Sequence, residues 1–332
     1  MKILIIRFSS MGDIFQCLEV PRSIKLKYPQ AEIHWLTKTE FSDIVKTNNF
    51  IDKVWNFNRD TGFAGLKHYF NIIKKEKYDL IYDAHNNLRS NLLKLPLQLF
   101  TKVKIITRPK NRIRRFLFFK LKRRNLLSMP FRGMESFLEP LKEIGIRGQS
   151  FEAHPLDLPV PKSLEKYPDI DQSYCLAPGA SFKLKRWPID YWQKLVLNNP
   201  DRKFYIIGGP LDTFCKDIFS IAPDRCVNLA GKLTWVETMW LINQAKLTIA
   251  NDTGAFHIAD FLGKHAIGLM GPSAFGYPSR PKSKAISKNL SCQPCSKDGR
   301  HKCSNKIHQQ CLQDLTPELV SAKAKELKEE II

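Results

Sequence analysis

The turn at residues 251–257, Asn-Asp-Thr-Gly-Ala-Phe-His, constrains the fold of this chain more than any other segment. A β-rich run at 246–250 precedes it and a helical pattern at 255–262 follows it. The backbone N–H groups at such a helix start have no intrahelical partners and lie at the positive end of the helix dipole, so the turn suits a phosphate or a diphosphate. In the alternative interpretation, Asp252 or Thr253 only caps the helix.

The same order of strand, turn and helix opens the chain, where a β-branched run at 3–8 leads into Ser-Ser-Met-Gly-Asp and a helical pattern to residue 27. Pro21 lies inside this helical pattern and predicts a kink or a break. Such alternation of strands and helices predicts parallel sheets covered on both faces. Further strands are predicted at 32–37, 53–57, 80–83, 103–107, 174–177, 204–207, 227–229, 247–250 and 266–270.

A proline-rich stretch at 154–168 separates two halves of this pattern and is the best linker candidate. The predicted fold class is therefore α/β, with two Rossmann-like, doubly wound domains that face a central cleft and bind ligands at the carboxyl ends of their strands. The predicted boundaries are 1–155 for the first domain, 156–315 for the second domain and 316–332 for a C-terminal helix.

Length and composition narrow the class of protein. The 332 residues, 43% of them hydrophobic, suffice for two domains. No stretch approaches the roughly 18 apolar residues of a membrane span, and the apolar run at 1–7 is too short for a signal peptide, so we expect a cytoplasmic protein. The eight cysteines, four of them outside any cluster, do not resemble the disulfide framework of a small secreted domain.

The positive charge is concentrated in the first half of the chain. The net charge is +21, and residues 1–150 hold 29 Lys and Arg against 13 Asp and Glu. This half is therefore expected to face an anionic partner, for which nucleic acid, an anionic membrane surface and a phosphorylated substrate are the alternatives.

Four motifs occur in one order over most of the chain: Ile-Arg-Phe-Ser-Ser-Met-Gly-Asp at 6–13, Ala-Pro-Gly-Ala-Ser-Phe-Lys-Leu-Lys-Arg-Trp-Pro at 177–188, Ile-Gly-Gly-Pro at 207–210, and the turn at 251–257. Together they resemble the ADP-heptose:lipopolysaccharide heptosyltransferases, glycosyltransferase family nine. The resemblance implies a GT-B fold and an inverting, single-displacement transfer from ADP-heptose, with the donor bound mainly by the second domain. It implies no metal or other cofactor in the chemistry.

The resemblance also implies catalytic roles. Asp13 matches the general base that takes a proton from the acceptor hydroxyl, acting by position and by a pKa raised through burial. The alternative is that Asp13 caps the helix that follows it. Lys185 matches the lysine that neutralises the donor phosphate, a task that Arg186 would share and to which the Ser181 hydroxyl would add a hydrogen bond.

Further donor contacts follow from the same resemblance. Thr253, Gly254 and His257 match the diphosphate site, although His257 also fits a buried core histidine. Asp252 and Asp212 match acidic residues near the ribose or the sugar. Residues Leu233 and Thr234 match a loop that brackets the adenine through backbone groups, with chance packing as the alternative.

A basic amphipathic segment at 102–124 contains eleven Lys or Arg and no acid, interleaved with Phe and Leu, and suits an anionic, lipid-bearing surface. The alternative is a solvated helix face. The resemblance implies that the acceptor is the phosphorylated inner core of lipopolysaccharide on lipid A, met by a peripheral protein at the inner face of the bacterial inner membrane. The expected acceptor contacts are Ser10, Gly12, Asp83, His85, Asn86, Arg89, Arg112 and Arg115.

A cysteine cluster near the C-terminus has the spacing C-x2-C-x7-C-x7-C, formed by Cys292, Cys295, Cys303 and Cys311. Four thiolates can bind structural Zn²⁺, and reduced thiols or disulfides are the alternatives. A similar cysteine-bearing tail occurs in heptosyltransferases of the second-heptose type. The resemblance therefore favours transfer of the second heptose of the core.

Three other functions compete with heptose transfer. A family member that uses another sugar nucleotide and a glycan-binding protein without catalysis both fit the motifs. A nucleic-acid-binding protein fits the charge, but no helix-turn-helix, RNA-recognition or finger signature accompanies it, so no nucleic acid partner is expected.

Overall fold

A computed structural model describes residues 1–148, 154 and 158–329, and this part of the chain divides into two compact units. The first unit comprises 1–112 and the described residues from 133 to 148, and the second comprises 113–132 and the described residues from 154 onward. Residues 113–132, which the predicted division assigns to the first domain, therefore belong to the second unit. The predicted boundary between 155 and 156 lies outside the described residues.

The first unit is built on a parallel sheet with the strand order β3-β2-β1-β4-β5. Its strands are β1 (Lys2–Ile6), β2 (Glu32–Lys38), β3 (Lys53–Phe57), β4 (Leu80–Asp83) and β5 (Lys104–Thr107). Its helices are α1 (Met11–Cys17), α2 (Glu19–Lys27), α3 (Ser42–Lys46), α4 (Gly62–Glu76) and α5 (Leu88–Phe100). The chain then enters α6 (Arg112–Lys120) and returns to the first unit with α7 (Gly133–Leu138).

The apolar runs of the central strands explain this sheet. All four residues of β4 are buried, as is β1 after its first residue, which is the pattern of parallel strands covered on both faces. The helical pattern between residues 11 and 27 breaks at Leu18, and Pro21 becomes the third residue of α2. Proline is tolerated in a first helical turn because the N–H groups there have no intrahelical acceptor, so the predicted break is confirmed.

The second unit has a parallel sheet of the order β11-β10-β9-β6-β7-β8. Its strands are β6 (Tyr174–Ala177), β7 (Phe204–Ile206), β8 (Cys226–Asn228), β9 (Leu247–Asn251), β10 (Ala266–Leu269) and β11 (Ser283–Ile286). Its further helices are α8 (Ile189–Leu197), α9 (Cys215–Phe219), α10 (Trp235–Gln244), α11 (Gly254–Leu262), α12 (Gln310–Gln313) and α13 (Pro317–Glu329). The edge strand β11 is absent from the sequence-based prediction because Ser-Lys-Ala-Ile carries a single β-branched residue.

The C-terminal helix predicted at 316–332 is α13, and residues 330–332 lie outside the described part of the chain. Its residues Val320, Ala324 and Leu327 are buried in the core of the second unit together with Trp187 and Trp192. The helix is therefore an integral layer of this unit. Among the described residues, no helix combines the length and the apolar character needed to cross a bilayer.

Candidate active site

The turn after β9 has the strand, turn and helix geometry that its sequence predicts. Thr253 has extended backbone angles at the N-cap of α11, and its side chain makes no capping hydrogen bond among the described residues. The interpretation that Asp252 or Thr253 only caps this helix is therefore wrong. The Thr253 hydroxyl and the first N–H groups of α11, including that of Gly254, remain available for an anion.

Asp252 lies at the centre of a buried cluster of charged and polar groups. Its carboxylate is 2.8 Å from Lys185 Nζ, accepts a hydrogen bond from the Ser273 hydroxyl, and lies 3.6 Å from His257 Nε2. Burial opposes ionisation of this carboxyl group, but Lys185 and His257 outweigh it and hold its pKa below the ordinary value. The cluster therefore fixes the Lys185 ammonium beside the N-terminus of α11.

Asn251 ties the turn after β9 to the loop after β6, a role that the sequence-based prediction missed. Its fully buried amide accepts a hydrogen bond from Trp187 N at 3.1 Å and donates to Pro178 O at 2.8 Å. The loop between these two residues carries Ser181, Lys185 and Arg186. A polar residue at the very end of a buried strand is the signal that could have pointed to it.

Arg186 and Asp212 form a second charged pair in this unit. Arg186 Nη2 lies 3.6 Å from Asp212 Oδ1, and Arg186 Nε donates to Ala180 O at 2.9 Å. The other Asp212 oxygen accepts from Gly209 N at 2.9 Å and holds the Gly-Gly turn after β7. Ser181 lies exposed on the loop beside this pair.

The structure corrects the role predicted for Thr234. Its hydroxyl accepts from Glu237 N at 3.2 Å, its own N–H donates to Glu237 at 2.7 Å, and its carbonyl accepts from Thr238 N at 2.9 Å. The first two bonds form the capping box of α10, for which the Thr-x-x-Glu spacing was the signal, and the third is the first backbone bond of the helix. Leu233 lies half-buried beside this helix start.

Asp13 belongs to a charged cluster at the carboxyl edge of the first sheet. It lies in the first turn of α1, whose N-cap is Ser10, so the interpretation of Asp13 as the N-cap is wrong. Asp13 Oδ2 accepts from the Ser10 hydroxyl at 2.8 Å and lies 2.6 Å from Arg7 Nη2, and the side chain is 37% exposed. Gly12 is the second residue of the same helix.

The pKa of Asp13 is lowered, which corrects the expectation that burial raises it. Burial does act in that direction, but Arg7, Arg108 and the Ser10 hydroxyl overcome it and bring the pKa to about 2. The sequence-based prediction missed both arginines, which directly follow the strands β1 and β5. Their guanidinium groups lie 5.3 and 3.7 Å from the ring centroid of Phe137, which holds them beside Asp13.

Asp83 is fully buried, which corrects its prediction as an acceptor contact. Its carboxylate lies 3.0 Å from Lys94 Nζ and accepts from the backbone N–H groups of His85 and Asn86 at 3.1 and 2.7 Å. Asn86 has a φ of +49° and donates to Arg108 O at 2.9 Å. Asp83 therefore shapes the loop after β4, with its carboxylate already paired to protein groups.

His85 and its basic neighbours remain at the predicted acceptor side. Burial, followed by the charges of Arg7 and Lys110, lowers the pKa of His85 to about 3, so its ring is neutral. Burial and the charges of Arg7 and Arg112 lower the pKa of Lys110 to about 8. The basic surface beside His85 also includes Lys110 and Arg89. Lys110 was not among the residues predicted from the sequence, and Arg89 is the second residue of α5.

The structure separates Arg115 from the first unit. Its guanidinium lies 4.4 Å from the ring centroid of Phe275 in the second unit, where the ring of Phe119 also packs against Phe275 at 5.9 Å. Phe118 of the same helix is buried. Some of the aromatic residues of α6 are thus packed against the second unit. The predicted assignment of Arg115 to the first domain is corrected accordingly.

The four clustered cysteines line one small cavity, together with Leu184, Pro272, Asn305, Gln309 and Gln310. None of the four is joined in a disulfide bond in the described part of the chain. Within the described ranges, however, no three His, Cys, Asp or Glu side chains are arranged to hold a metal ion. Cys311 is buried and the other three are half-buried, and a structural zinc ion at this cluster stays a prediction.

Comparison with known proteins places this geometry in a family. Residues 68–307, well over half of the chain, match glycosyltransferase family 9 (heptosyltransferase). The chain is 24% identical over 278 residues to the lipopolysaccharide core heptosyltransferase OpsX of Haemophilus influenzae, covering 80% of this chain and 77% of that protein.

Two solved structures show the fold. Escherichia coli ADP-heptose lipopolysaccharide heptosyltransferase II superposes with a TM-score of 0.74 at 20% identity, covering 99% of this chain and 100% of that one. E. coli heptosyltransferase WaaC with ADP superposes with a TM-score of 0.72 at 17% identity, covering 98% and 100%. The predicted class of two Rossmann-like domains, GT-B, is confirmed, and the family match shows that the chain belongs to glycosyltransferase family 9, the heptosyltransferases.

Proposed function

We propose that this chain transfers heptose from ADP-L-glycero-D-manno-heptose to the phosphorylated inner core of lipopolysaccharide, with inversion at the anomeric carbon. The observation that carries the proposal is the buried Lys185–Asp252 pair beside the uncapped N-terminus of α11. This arrangement concentrates positive charge and N–H donors where a diphosphate would bind. WaaC was solved with ADP, and E. coli heptosyltransferase II is named as an ADP-heptose enzyme; both support an ADP-linked heptose as the donor.

The second unit assists departure of the leaving group. As the bond between the anomeric carbon and the donor phosphate oxygen breaks, negative charge grows on the departing ADP. Lys185 neutralises this charge as a compact cation, and Arg186 and the N–H groups of α11 add to it. Because these groups supply the positive charge, the proposal includes no metal in the chemistry.

The first unit supplies the base. Asp13 accepts the proton of the acceptor hydroxyl as that oxygen forms the new bond to the anomeric carbon. With a pKa of about 2, it is a weak base that is ionised at every physiological pH, so it acts through its position. The cations Arg7, Arg108 and Lys110 around it suit an acceptor that carries phosphate or carboxylate groups.

The proposal places the enzyme in the cytoplasm, at the inner face of the inner membrane, where a lipid A-linked acceptor is accessible. The excess of 29 basic over 13 acidic residues in 1–150 supports contact with that anionic surface. A nucleic acid partner is not part of the proposal.

Calorimetric titration with ADP-heptose, ADP, UDP and GDP tests the donor assignment. We expect selective binding of the adenine nucleotides, weakened by about 1–3 kcal/mol in Lys185→Ala because a charge-assisted contact is lost. Lys183→Ala is the matched control, since Lys183 belongs to the same short 3₁₀ turn (Lys183–Lys185) but is exposed.

Three outcomes of this titration would count against the assignment. Equal effects of the two substitutions would contradict the role of Lys185. Folded protein that binds no nucleotide would overturn the donor site and favour a nucleic acid or membrane partner. Preference for UDP or GDP would point to another sugar nucleotide.

A further inference from the structure

The outer face of α5 carries an apolar stripe. Leu88, Leu92, Leu95 and Leu99 recur at helical spacing and are 75, 40, 56 and 80% exposed. The opposite face of the helix is also apolar, with Leu93 and Leu97 buried in the core of the first unit. A helix that is apolar on both faces normally has both faces covered, so the leucine stripe marks an interaction surface.

The charges around this stripe are basic. The helix contains Arg89 and Lys94 and no acid. Lys94 points inward to Asp83, whereas Arg89 remains on the partly exposed first turn. Phe100, 65% exposed at the end of the stripe, lies under the ammonium group of Lys74, whose Nζ is 5.6 Å from the ring centroid.

A surface cavity of about 370 Å³ lies at the C-terminal end of α5. Its lining is mixed: Leu97 and other apolar side chains form part of the wall, and Lys74, Lys77 and Lys102 form another part. The carboxylate of Asp79, which also lines it, accepts a hydrogen bond from Lys2 N at 2.6 Å. The cavity is therefore suited to an anionic group that continues into an apolar chain.

We propose that the leucine stripe and the lysine-lined cavity together form the face of the first unit that docks on an anionic phospholipid surface. The leucines enter the interface between headgroups and acyl chains, and a lipid phosphate enters the cavity. From Leu88 to Leu99 the stripe extends over about 16 Å of helix, from the loop after β4 to the opposite edge of the sheet. The cavity is thus distinct from the acceptor site at the carboxyl edge.

This inference rests on the proposed function, which requires a lipid-linked acceptor, and gives it a membrane-binding surface other than α6. The aromatic residues of α6 are partly used in packing, as Phe118 and Phe119 show, whereas no leucine of the stripe is buried. A stripe of four leucines that ends beside a lysine-lined cavity fits lipid better than a protein partner, whose interfaces are richer in aromatic side chains.

Flotation with phosphatidylcholine vesicles, with and without phosphatidylglycerol, tests the proposal. We expect binding only to the anionic vesicles and weaker binding at high salt. Leu95→Gln with Leu99→Gln should lower the partition coefficient by at least about tenfold, because two leucine side chains no longer insert. The matched control is Leu197→Gln with Leu211→Gln, two exposed leucines of the second unit.

The cavity is tested in the same way. Lys74→Gln with Lys102→Gln should lower binding to anionic vesicles, and the exposed pair Lys216→Gln with Lys325→Gln is the control for lost charge. Equal binding to both kinds of vesicle, or binding that neither substituted pair alters, would overturn the proposal. A dimer in sedimentation velocity that Leu95→Gln with Leu99→Gln dissociates would also overturn it, since a second copy would then cover the stripe.

A separate assay distinguishes this inference from the proposed function. The leucine variants should transfer heptose to a soluble, lipid-free acceptor oligosaccharide at the wild-type rate, because they alter no residue of the proposed site. Failure of wild-type protein in that assay would count against the proposed function, while the vesicle results would still decide the docking face.

Discussion

The chemistry of Asp13 is set by two arginines that are distant in sequence. Because its pKa in the folded protein is about 2, below the ordinary 3.8, the carboxylate stays charged until the pH falls toward 2. We therefore expect kcat/KM for transfer to show no acid limb from Asp13 above about pH 4. Replacing Arg108 by Gln should raise the pKa of Asp13 and move that limb to higher pH. If kcat/KM of the wild-type enzyme instead fell with a pKa near 6, burial would outweigh the two arginines in setting the pKa of Asp13.

Asp13→Asn separates catalysis from binding. It removes the proton acceptor without changing the size of the side chain, so transfer should fall by about 10²–10⁴-fold while calorimetric binding of ADP-heptose persists. Arg7→Gln is a poor control because Arg7 holds the same cluster, but the exposed Asp60→Asn is a suitable one. Residual transfer near the wild-type rate would exclude Asp13 as the base.

Local motifs predict Asp13 and Lys185 as candidate site residues but do not point to Arg7 and Arg108 beside Asp13. Those two arginines lie 101 positions apart and meet because the sheet brings the ends of β1 and β5 to one edge, where both contact the ring of Phe137. No local pattern encodes such a meeting. Thr234, in contrast, was predictable as a helix cap from its spacing to Glu237.

Among the elements, the segment that carries the cysteines supports the loop of Lys185. The Gln309 side-chain amide donates to Lys183 O at 2.9 Å and to Arg186 O at 3.4 Å, on either side of Lys185. Gly299 lies so close that a Cβ there would be 2.7 Å from Lys185 Cγ. The conformation of the Lys183–Lys185 turn thus depends on a segment more than 100 residues away.

Gln309→Glu tests this support. The carboxylate keeps the shape of the side chain but cannot donate, so the affinity for ADP should fall by about 3–10-fold, with KM for the donor raised and kcat little changed. Gln313→Glu is the matched control because the Gln313 amide donates to His308 O at 2.9 Å within its own segment. Equal calorimetric effects of the two variants would refute a specific role for Gln309.

The elements themselves were largely predictable. The bounds of β3, β4 and β6 agree with the sequence-based ones. Fully buried runs define β4 and β6, and the β-branched and aromatic residues of Lys-Val-Trp-Asn-Phe define β3. The edge strand β11 was not predictable from its own sequence. Its residues are mostly half-buried, and it forms a strand through its pairing with β10 on one side.

At the scale of the whole molecule, donor and acceptor chemistry are assigned to different units. Hydrogen exchange with and without ADP tests that division. We expect ADP to slow exchange in the loop after β6 and at the start of α11, because both belong to the proposed donor site, and to leave the loops of Asp13 and His85 unchanged. Protection confined to the first unit would contradict the assignment.

The alternation of strands and helices predicts two domains. It does not predict that residues 113–132 belong to the second unit. A run of basic and aromatic residues does not specify its packing partner, and Arg115 and Phe119 meet Phe275 from more than 150 positions away. Charge patterning thus predicts a surface, whereas tertiary contacts decide to which unit it belongs.

The glycines beside the Asp252 and Asp212 carboxylates limit how this scaffold can be re-engineered. A Cβ at Gly276 would collide with the Asp252 carboxylate, and one at Gly179 with that of Asp212, so a side chain at either glycine would displace the acid beside it. A library designed to accept a different nucleotide sugar should hold these four positions constant. Diversity belongs at Ser181, which is exposed and so leaves room for larger side chains that could change the specificity for the nucleotide sugar.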